Sequence, residues 1–275
     1  MNDSCAIIAG SGSFPLHVAS EAKRQGLKVV GIGLQGWVDP AFAQHVDAYE
    51  EVAVGQLGCL IERLQAHQAT RVVMAGKVTK EVLFDARARF DAATLGLLTR
   101  IADFSVNSLL GAIAARLAQD GITLLDSSTF LKQSLCGVGV LTTRHPTPQE
   151  QADIRVGVQT ARRLAELDVG QTVVVKGQVV IAVEALEGTD AAITRAGALA
   201  GPGCVIVKMA APNQDMRFDL PIVGVQTIAV ARAAGARCLA VEAQRTLLLD
   251  KAAVIAGADD ARLCLVGLDV QSAAP

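Results

Sequence analysis

The densest chemistry in the chain lies in Asn213-Gln214-Asp215-Met216-Arg217-Phe218-Asp219-Leu220-Pro221. Two acids, two amides and an arginine follow an apolar run, Cys204–Met209, whose one charge is Lys208. Such a mixture is costly to bury unless its groups pair or bind something. In an enzyme, an aspartate here would hold a metal or activate water, while Lys208 and Arg217 clamped phosphate oxygens. A solvated loop has the same composition. The second cluster is Glu187-Gly188-Thr189-Asp190. Its carboxylates suit Mg2+, which takes a few carboxylates plus substrate phosphates and water. The same residues also suit a helix start, with Thr189 or Asp190 as N-cap.

Two weaker candidates sit in the first half. Gly10-Ser11-Gly12-Ser13-Phe14-Pro15 is a glycine turn between an apolar run and a helical pattern. Free backbone N–H groups there would suit a phosphate, and a bare tight turn explains the turn equally well. Pro15 stands where a dinucleotide fingerprint needs its third glycine, and Gly33-Leu34-Gln35-Gly36 offers no acid for a ribose. A nicotinamide-dependent oxidoreductase is therefore disfavoured. Lys77, after Gly76, falls at the end of another apolar run, where ligands of open α/β sheets bind. A solvated loop lysine reads the same way.

Composition narrows the partners. The chain has 275 residues, 25 Lys and Arg against 27 Asp and Glu, and 51% hydrophobic residues. There is no basic excess to neutralise a nucleic-acid backbone. Seven Phe, one Trp and one Tyr leave little for base-stacking platforms. No CxxC pair or HExxH motif points to zinc, and the six scattered cysteines read as reduced core thiols. The start carries no basic, apolar leader and no window reaches a membrane-spanning length, so a cytoplasmic enzyme is expected.

The elements that must position these residues follow from periodicity. Apolar runs at Cys5–Ala9, Leu27–Leu34, Glu50–Val54, Arg71–Ala75 and Ile122–Leu125 alternate with helical patterns, among them Phe14–Gln25 and a long stretch from Lys80 to Asp120. Asp39-Pro40 reads as a further helix start. Strands separated by helices imply a parallel, Rossmann-like sheet. The second half opens with a capping box, Thr147-Pro148-Gln149-Glu150, starting a helix to about Leu167. Thr172–Val175 and Gln178–Ala185 form a hairpin at Lys176-Gly177, followed by a helix from about Asp190. Strands at Cys204–Met209, Arg237–Glu242, Thr246–Leu249 and Arg262–Gly267, with helices near Gln226–Ala234 and Lys251–Gly257, complete it. The expected fold class is α/β: a Rossmann-like N-terminal domain over 1–133, a linker over 134–148, and a C-terminal α+β catalytic domain with a mixed sheet over 149–275.

Three motifs carry a resemblance. Ala9–Pro15, Glu187–Ala191 (EGTDA) and Val207–Gly224 (VK followed by QDMRFDLPIVG) resemble the I-type UDP-2,3-diacylglucosamine pyrophosphatase family of lipid A synthesis. The resemblance implies a two-domain, Mg2+-dependent enzyme that cleaves UDP-2,3-diacylglucosamine to UMP and 2,3-diacylglucosamine 1-phosphate, with the lipid product held between the domains. It makes Asp219 the key carboxylate, as metal ligand or base; Asp190 and Glu187, from the acidic cluster above, are second candidates for metal binding. Lys208 and Arg217 would stabilise developing charge. Gly10, Ser11, Gly12, Lys77, Gly188, Thr189, Gln214, Gln226 and Thr227 would contact the substrate, and Arg195 would serve a phosphate. An amphiphilic substrate implies peripheral contact with the inner membrane, and a homodimer is a further expectation. A non-catalytic module that binds nucleotide sugars or lipids stays open on the residues alone.

Overall fold

The computed structural model describes residues 4–78, 90–101, 106–211, 214–218 and 220–269. The chain divides into two units: one takes the chain up to Leu131 together with the segment beginning at Asp215, the other takes Lys132 to Gln214 and Leu220 onward.

In the first unit, β1 (Ser4–Ala9), β2 (Lys28–Leu34), β3 (Ala48–Val52), β4 (Arg71–Ala75) and β5 (Thr123–Leu124) pair in the order β3-β2-β1-β4-β5, all parallel. This is the strand order of a doubly wound sheet, in which strands are added outward on one side of β1 and then, from β4, on the other. Helix α1 (Phe14–Arg24) buries Phe14, Val18, Ala19 and Ala22. Helix α2 (Leu57–Ala66) buries Leu57, Leu60, Ile61 and Leu64, the i, i+3, i+4, i+7 stripe legible in the sequence. The Asp39-Pro40 start yields a 3-10 turn over Pro40–His45, Asp39 accepting from the Ala41 N–H. Within Lys80–Asp120, the described parts form two helices, α3 (Ala92–Leu98) and α4 (Val106–Gln119). Asp91 caps α3 by accepting from the Thr94 N–H at 2.8 Å.

The second unit is built on a mixed sheet of order β6-β13-β11-β9-β7-β8. Its strands are β6 (Gly139–Val140), β7 (Thr172–Lys176), β8 (Val179–Val183), β9 (Val205–Lys208), β11 (Cys238–Glu242) and β13 (Cys264–Leu268). Strands β9, β11 and β13 run parallel; β7 is antiparallel to both β8 and β9. Helix α5 (Pro148–Glu166) begins with the expected capping box, Thr147 and Glu150 exchanging side-chain and backbone bonds. Helices α6 (Thr189–Ala200), α7 (Val225–Ala233) and α8 (Lys251–Asp260) complete the unit, and Ile193, Ala196, Ile228, Ala231, Val254 and Ala258 join one aliphatic core.

Three expectations change. Residues 134–148, read as a linker, are woven into this unit: Cys136 is buried, β6 extends the sheet along β13, and the Thr142 hydroxyl accepts from the Leu265 N–H. The run Thr246–Leu249 supplies only β12 (Leu247–Leu248), which pairs with β10 (Ile222–Val223) outside the main sheet. The acid-rich loop does not stay with its sequence neighbours, because Asp215 to Phe218 belong to the first unit. All six cysteines are free thiols, five of them buried. Among the described residues no helix is long and apolar enough to cross a membrane.

Candidate functional site

Strand register places a compact polar cluster at one end of the second sheet. Thr172 opens β7 opposite Lys208, the last residue of β9. Glu184 follows β8, and Thr189 opens α6. Lys208 is only 7% exposed, too little to leave its ammonium unpaired. Its Nζ donates to the Thr189 hydroxyl at 2.8 Å and reaches Thr172 Oγ1 at 3.4 Å. The Thr189 hydroxyl in turn donates to Glu184 Oε1 at 2.8 Å, and Glu184 Oε2 lies 3.9 Å from the ammonium. Burial would raise the Glu184 carboxyl, but the Lys208 charge and the Thr172 and Thr189 hydroxyls outweigh it and hold it below the usual carboxylate range. The cluster is therefore a fixed, charged cation beside a carboxylate that stays ionised.

Thr189 reaches this cluster because Gly188 occupies the N-cap position of α6 with φ +83°, a backbone that favours glycine. Neither Thr189 nor Asp190 is the cap expected for that helix. Thr189 spends its hydroxyl on Glu184, and Asp190 lies in the first turn. The Asp190 carboxylate makes no hydrogen bond or ion pair with the described residues, whereas its carbonyl accepts from the Thr194 hydroxyl. Glu187 is placed differently: it pairs with Arg195 at 2.6 Å and accepts from the Ala185 N–H. That pair occupies both the expected metal ligand and the arginine expected for phosphate.

Beyond β9 the chain turns at Ala210–Gln214. The Ala211 N–H donates to Gln214 Oε1 at 2.7 Å, and the Gln214 N–H returns to the Ala211 carbonyl. This fixes the amide's orientation and leaves Gln214 Nε2 buried with no hydrogen-bond partner among the described residues. Gln226 and Thr227 open α7, Gln226 exposed and Thr227 half-buried, with no tie to the Lys208 cluster.

The remaining expected residues belong to the first unit. Arg217 is held by Asp215 in a two-pronged pair, its Nη2 2.6 Å from Oδ2, and its guanidinium lies 5.7 Å from the Phe218 ring centre. The Asp215 carboxyl is lowered by that arginine. This segment is fastened by Ser127, just after β5. Its N–H donates to the Met216 carbonyl at 2.9 Å, and its hydroxyl sits between the Arg217 and Met74 carbonyls at 2.7 and 2.9 Å. Asp219, the residue with the largest expected role, lies outside the described residues.

The glycine turn and Gly76-Lys77 flank the switch point between β1 and β4, but they close on each other. Ser11 and Lys77 form an antiparallel bridge, N–H to carbonyl at 2.9 and 3.0 Å in the two directions. A methyl group on Gly10 would stand 2.7 Å from the Lys77 carbonyl oxygen. The Ser11 N–H expected for phosphate is thus spent on Lys77, and the crevice where a doubly wound sheet binds dinucleotides is bridged. Gly12 and the exposed Lys77 side chain retain open surroundings.

The comparisons with known proteins agree over nearly all of the chain. Residues 4–134 match the LpxI N-terminal domain and residues 137–266 the LpxI C-terminal domain. The UDP-2,3-diacylglucosamine pyrophosphatase LpxI of Caulobacter vibrioides is 32% identical over 96% of this chain and 97% of its own length. The chain belongs to the LpxI family. Solved structures resemble this LpxI-family chain only weakly. The enzyme WbmH of Bordetella bronchiseptica, in complex with NAD+, is 15% identical, covers 42% of this chain and 36% of its own, and scores a TM of 0.28. A UDP-N-acetylmuramate:L-alanyl-gamma-D-glutamyl-meso-diaminopimelate ligase from Neisseria meningitides is 16% identical over 62% of this chain and 42% of its own, with a TM-score of 0.29. Similarity at that level carries nothing about fold or chemistry.

Whether the LpxI-family residues fit Mg2+ depends on few donors. No three His, Cys, Asp or Glu among the described residues stand close enough to enclose a metal ion. Mg2+ needs no such cage, since one or two carboxylates with substrate phosphates and water suffice. Asp190, a carboxylate with no partner among the described residues, fits that requirement; Glu187, committed to Arg195, does not.

Glu184 and Thr172 were not legible as site residues. Glu184 ends an apolar β-branched strand and belongs to no motif. The signal that would have found it is its position, one residue past β8, at the same end of the sheet as Thr172 and, one strand further on, Lys208.

Proposed function

We propose that the chain hydrolyses the pyrophosphate bond of UDP-2,3-diacylglucosamine, giving UMP and 2,3-diacylglucosamine 1-phosphate in lipid A biosynthesis. The observation that carries this reading is the full-length match to a relative of that name. The Lys208 cluster supports it, because hydrolysis of a pyrophosphate mainly needs charge neutralised and a water aimed at phosphorus.

In this reading water adds to one phosphorus as the bridging P–O bond breaks, and the bridging oxygen leaves on the other phosphate. Asp219 is the key carboxylate, as metal ligand or as base for the water. Lys208 opposes the growing negative charge. The Thr189 hydroxyl keeps the ammonium oriented, and Glu184 keeps it charged. Gln214 offers its unpaired Nε2 donor to a phosphate or sugar oxygen. Arg217, already paired with Asp215, orders the loop as well as contributing charge. Asp190, a carboxylate with no partner among the described residues, would hold Mg2+ together with substrate phosphates and water, and the bound ion would supply charge neutralisation at the phosphates. The amphiphilic substrate places the reaction at the cytoplasmic face of the inner membrane through peripheral contact.

The test is UMP release from UDP-2,3-diacylglucosamine by the purified protein. Binding of the UDP-sugar without turnover would instead favour a non-catalytic module.

A further inference from the structure

We propose that Glu242 and Arg245 form a clamp that positions the Ala210–Gln214 turn for the pyrophosphatase reaction. They would be positioning residues that touch no substrate. The inference rests on the function proposed above and goes beyond it by assigning roles to two residues outside the family motifs quoted earlier.

Glu242 is the last residue of β11, and the register pairs its neighbour Val241 with Lys208. The Glu242 side chain is buried. Its Oε2 accepts from the Ala210 N–H at 3.1 Å, and its Oε1 accepts from Arg245 Nη1 at 3.2 Å. Arg245 Nη2 then donates to the Ala211 carbonyl at 2.8 Å. The two charged side chains thus seize consecutive residues of the turn, one by its N–H and the next by its carbonyl. That same Ala211 makes the two bonds that fix Gln214.

A buried ion pair by itself gives little net stability, because desolvation consumes most of the attraction. This pair directs its remaining hydrogen bonds to one short piece of backbone. Met209 and Ala210 are buried, and a cavity of about 240 Å³, lined by Arg162, Glu166, Ala210, Glu242 and Arg245, lies against the clamp. On the cavity side the Glu242 and Arg245 hydrogen bonds are the ties to Ala210 and Ala211. The held residues lie between Lys208, two positions before Ala210, and Gln214, whose buried Nε2 has no hydrogen-bond partner among the described residues. Displacing reacting groups by about an ångström costs on the order of 100-fold in rate.

The experiment measures kcat and KM for UMP release by the unmodified protein and by Arg245→Ala, Arg245→Lys and Glu242→Gln, each checked for folding by thermal melting. Arg245→Ala is expected to lower kcat about 100-fold with KM within about threefold, because the lost interaction orients rather than binds. Arg245→Lys is expected to recover part of that loss, since an ammonium can reach the carboxylate or the carbonyl but lacks the fork that spans both. If Arg245→Ala does not fold, Arg245→Lys and Glu242→Gln decide, each expected to lower kcat about tenfold at unchanged KM. Folded variants with unmodified kcat, or with a raised KM alone, would overturn the clamp. An unmodified protein that releases no UMP would overturn the proposed function instead.

Discussion

Lys208 Nζ stands 2.8 Å from the Thr189 hydroxyl, which stands 2.8 Å from the Glu184 carboxylate. One hydroxyl therefore accepts from the cation and donates to the anion, joining β9, α6 and the end of β8. The lysine and the threonine were both expected from the sequence as site residues; the carboxylate that completes the relay was not.

That relay makes the charges interdependent. Lys208→Met removes the ammonium and leaves Glu184 buried without its counter-charge, which should cost about 3 kcal/mol. Adding Glu184→Gln should restore most of the loss. Urea unfolding of the two single variants and the double variant measures the coupling. Simple additivity would show that the two groups do not act as a pair.

Glu184 also fixes the direction of a pH effect. Its folded-state carboxyl lies below the ordinary value of 4.5, so the unfolded chain takes up the proton first. Its stabilising contribution is complete above that ordinary value and is lost as pH falls through the lower, folded-state value. The melting temperature of the unmodified protein should therefore fall more steeply than that of Glu184→Gln as pH drops below the ordinary value of 4.5. Parallel melting curves for the two proteins would contradict the assignment.

The bridge between the β1 and β4 turns has its own test. A methyl group at Gly76 would meet the Gly10 carbonyl carbon at 2.7 Å on a backbone with φ +93°, whereas Gly12, at φ +91°, faces open space. Gly76→Ala should then cost about 1–3 kcal/mol more than Gly12→Ala, the difference being the steric contact with the bridge. Equal losses in urea unfolding would mean that backbone conformation alone sets the price.

Metal dependence follows from the carboxylates proposed to hold Mg2+. EDTA should abolish UMP release, and added Mg2+ should restore it. Full activity in chelator would remove Mg2+ from the mechanism. Asp190→Asn should raise the Mg2+ concentration needed for half-maximal rate, while Glu187→Gln should not, because Glu187 is bound to Arg195.

Much of this architecture was legible because its signals are local. The Leu57, Leu60, Ile61, Leu64 stripe, the Thr147–Glu150 box and the turn at Gly177 each report on a few neighbouring residues. The strands β6 and β10 were missed because two residues carry no periodicity, whereas β12 lies within the expected run Thr246–Leu249. The Asp215–Phe218 segment was assigned to the second half because nothing near it in sequence announces Ser127, its anchor in the first unit. The candidate site divided in the same way. Lys208 and Thr189 stand out as polar residues in telling contexts, whereas Glu184, Glu242 and Arg245 matter through hydrogen bonds that only the folded chain creates.

The central claim is that this chain cleaves UDP-2,3-diacylglucosamine with Asp219 as its essential carboxylate. The most direct measurement compares UMP release by the unmodified protein and by Asp219→Ala, at equal concentration and with Mg2+ present. The unmodified protein should turn over, and the variant should lose about 10²–10⁴ in rate while remaining folded. Undiminished UMP release by Asp219→Ala, or none from the unmodified protein, would contradict it.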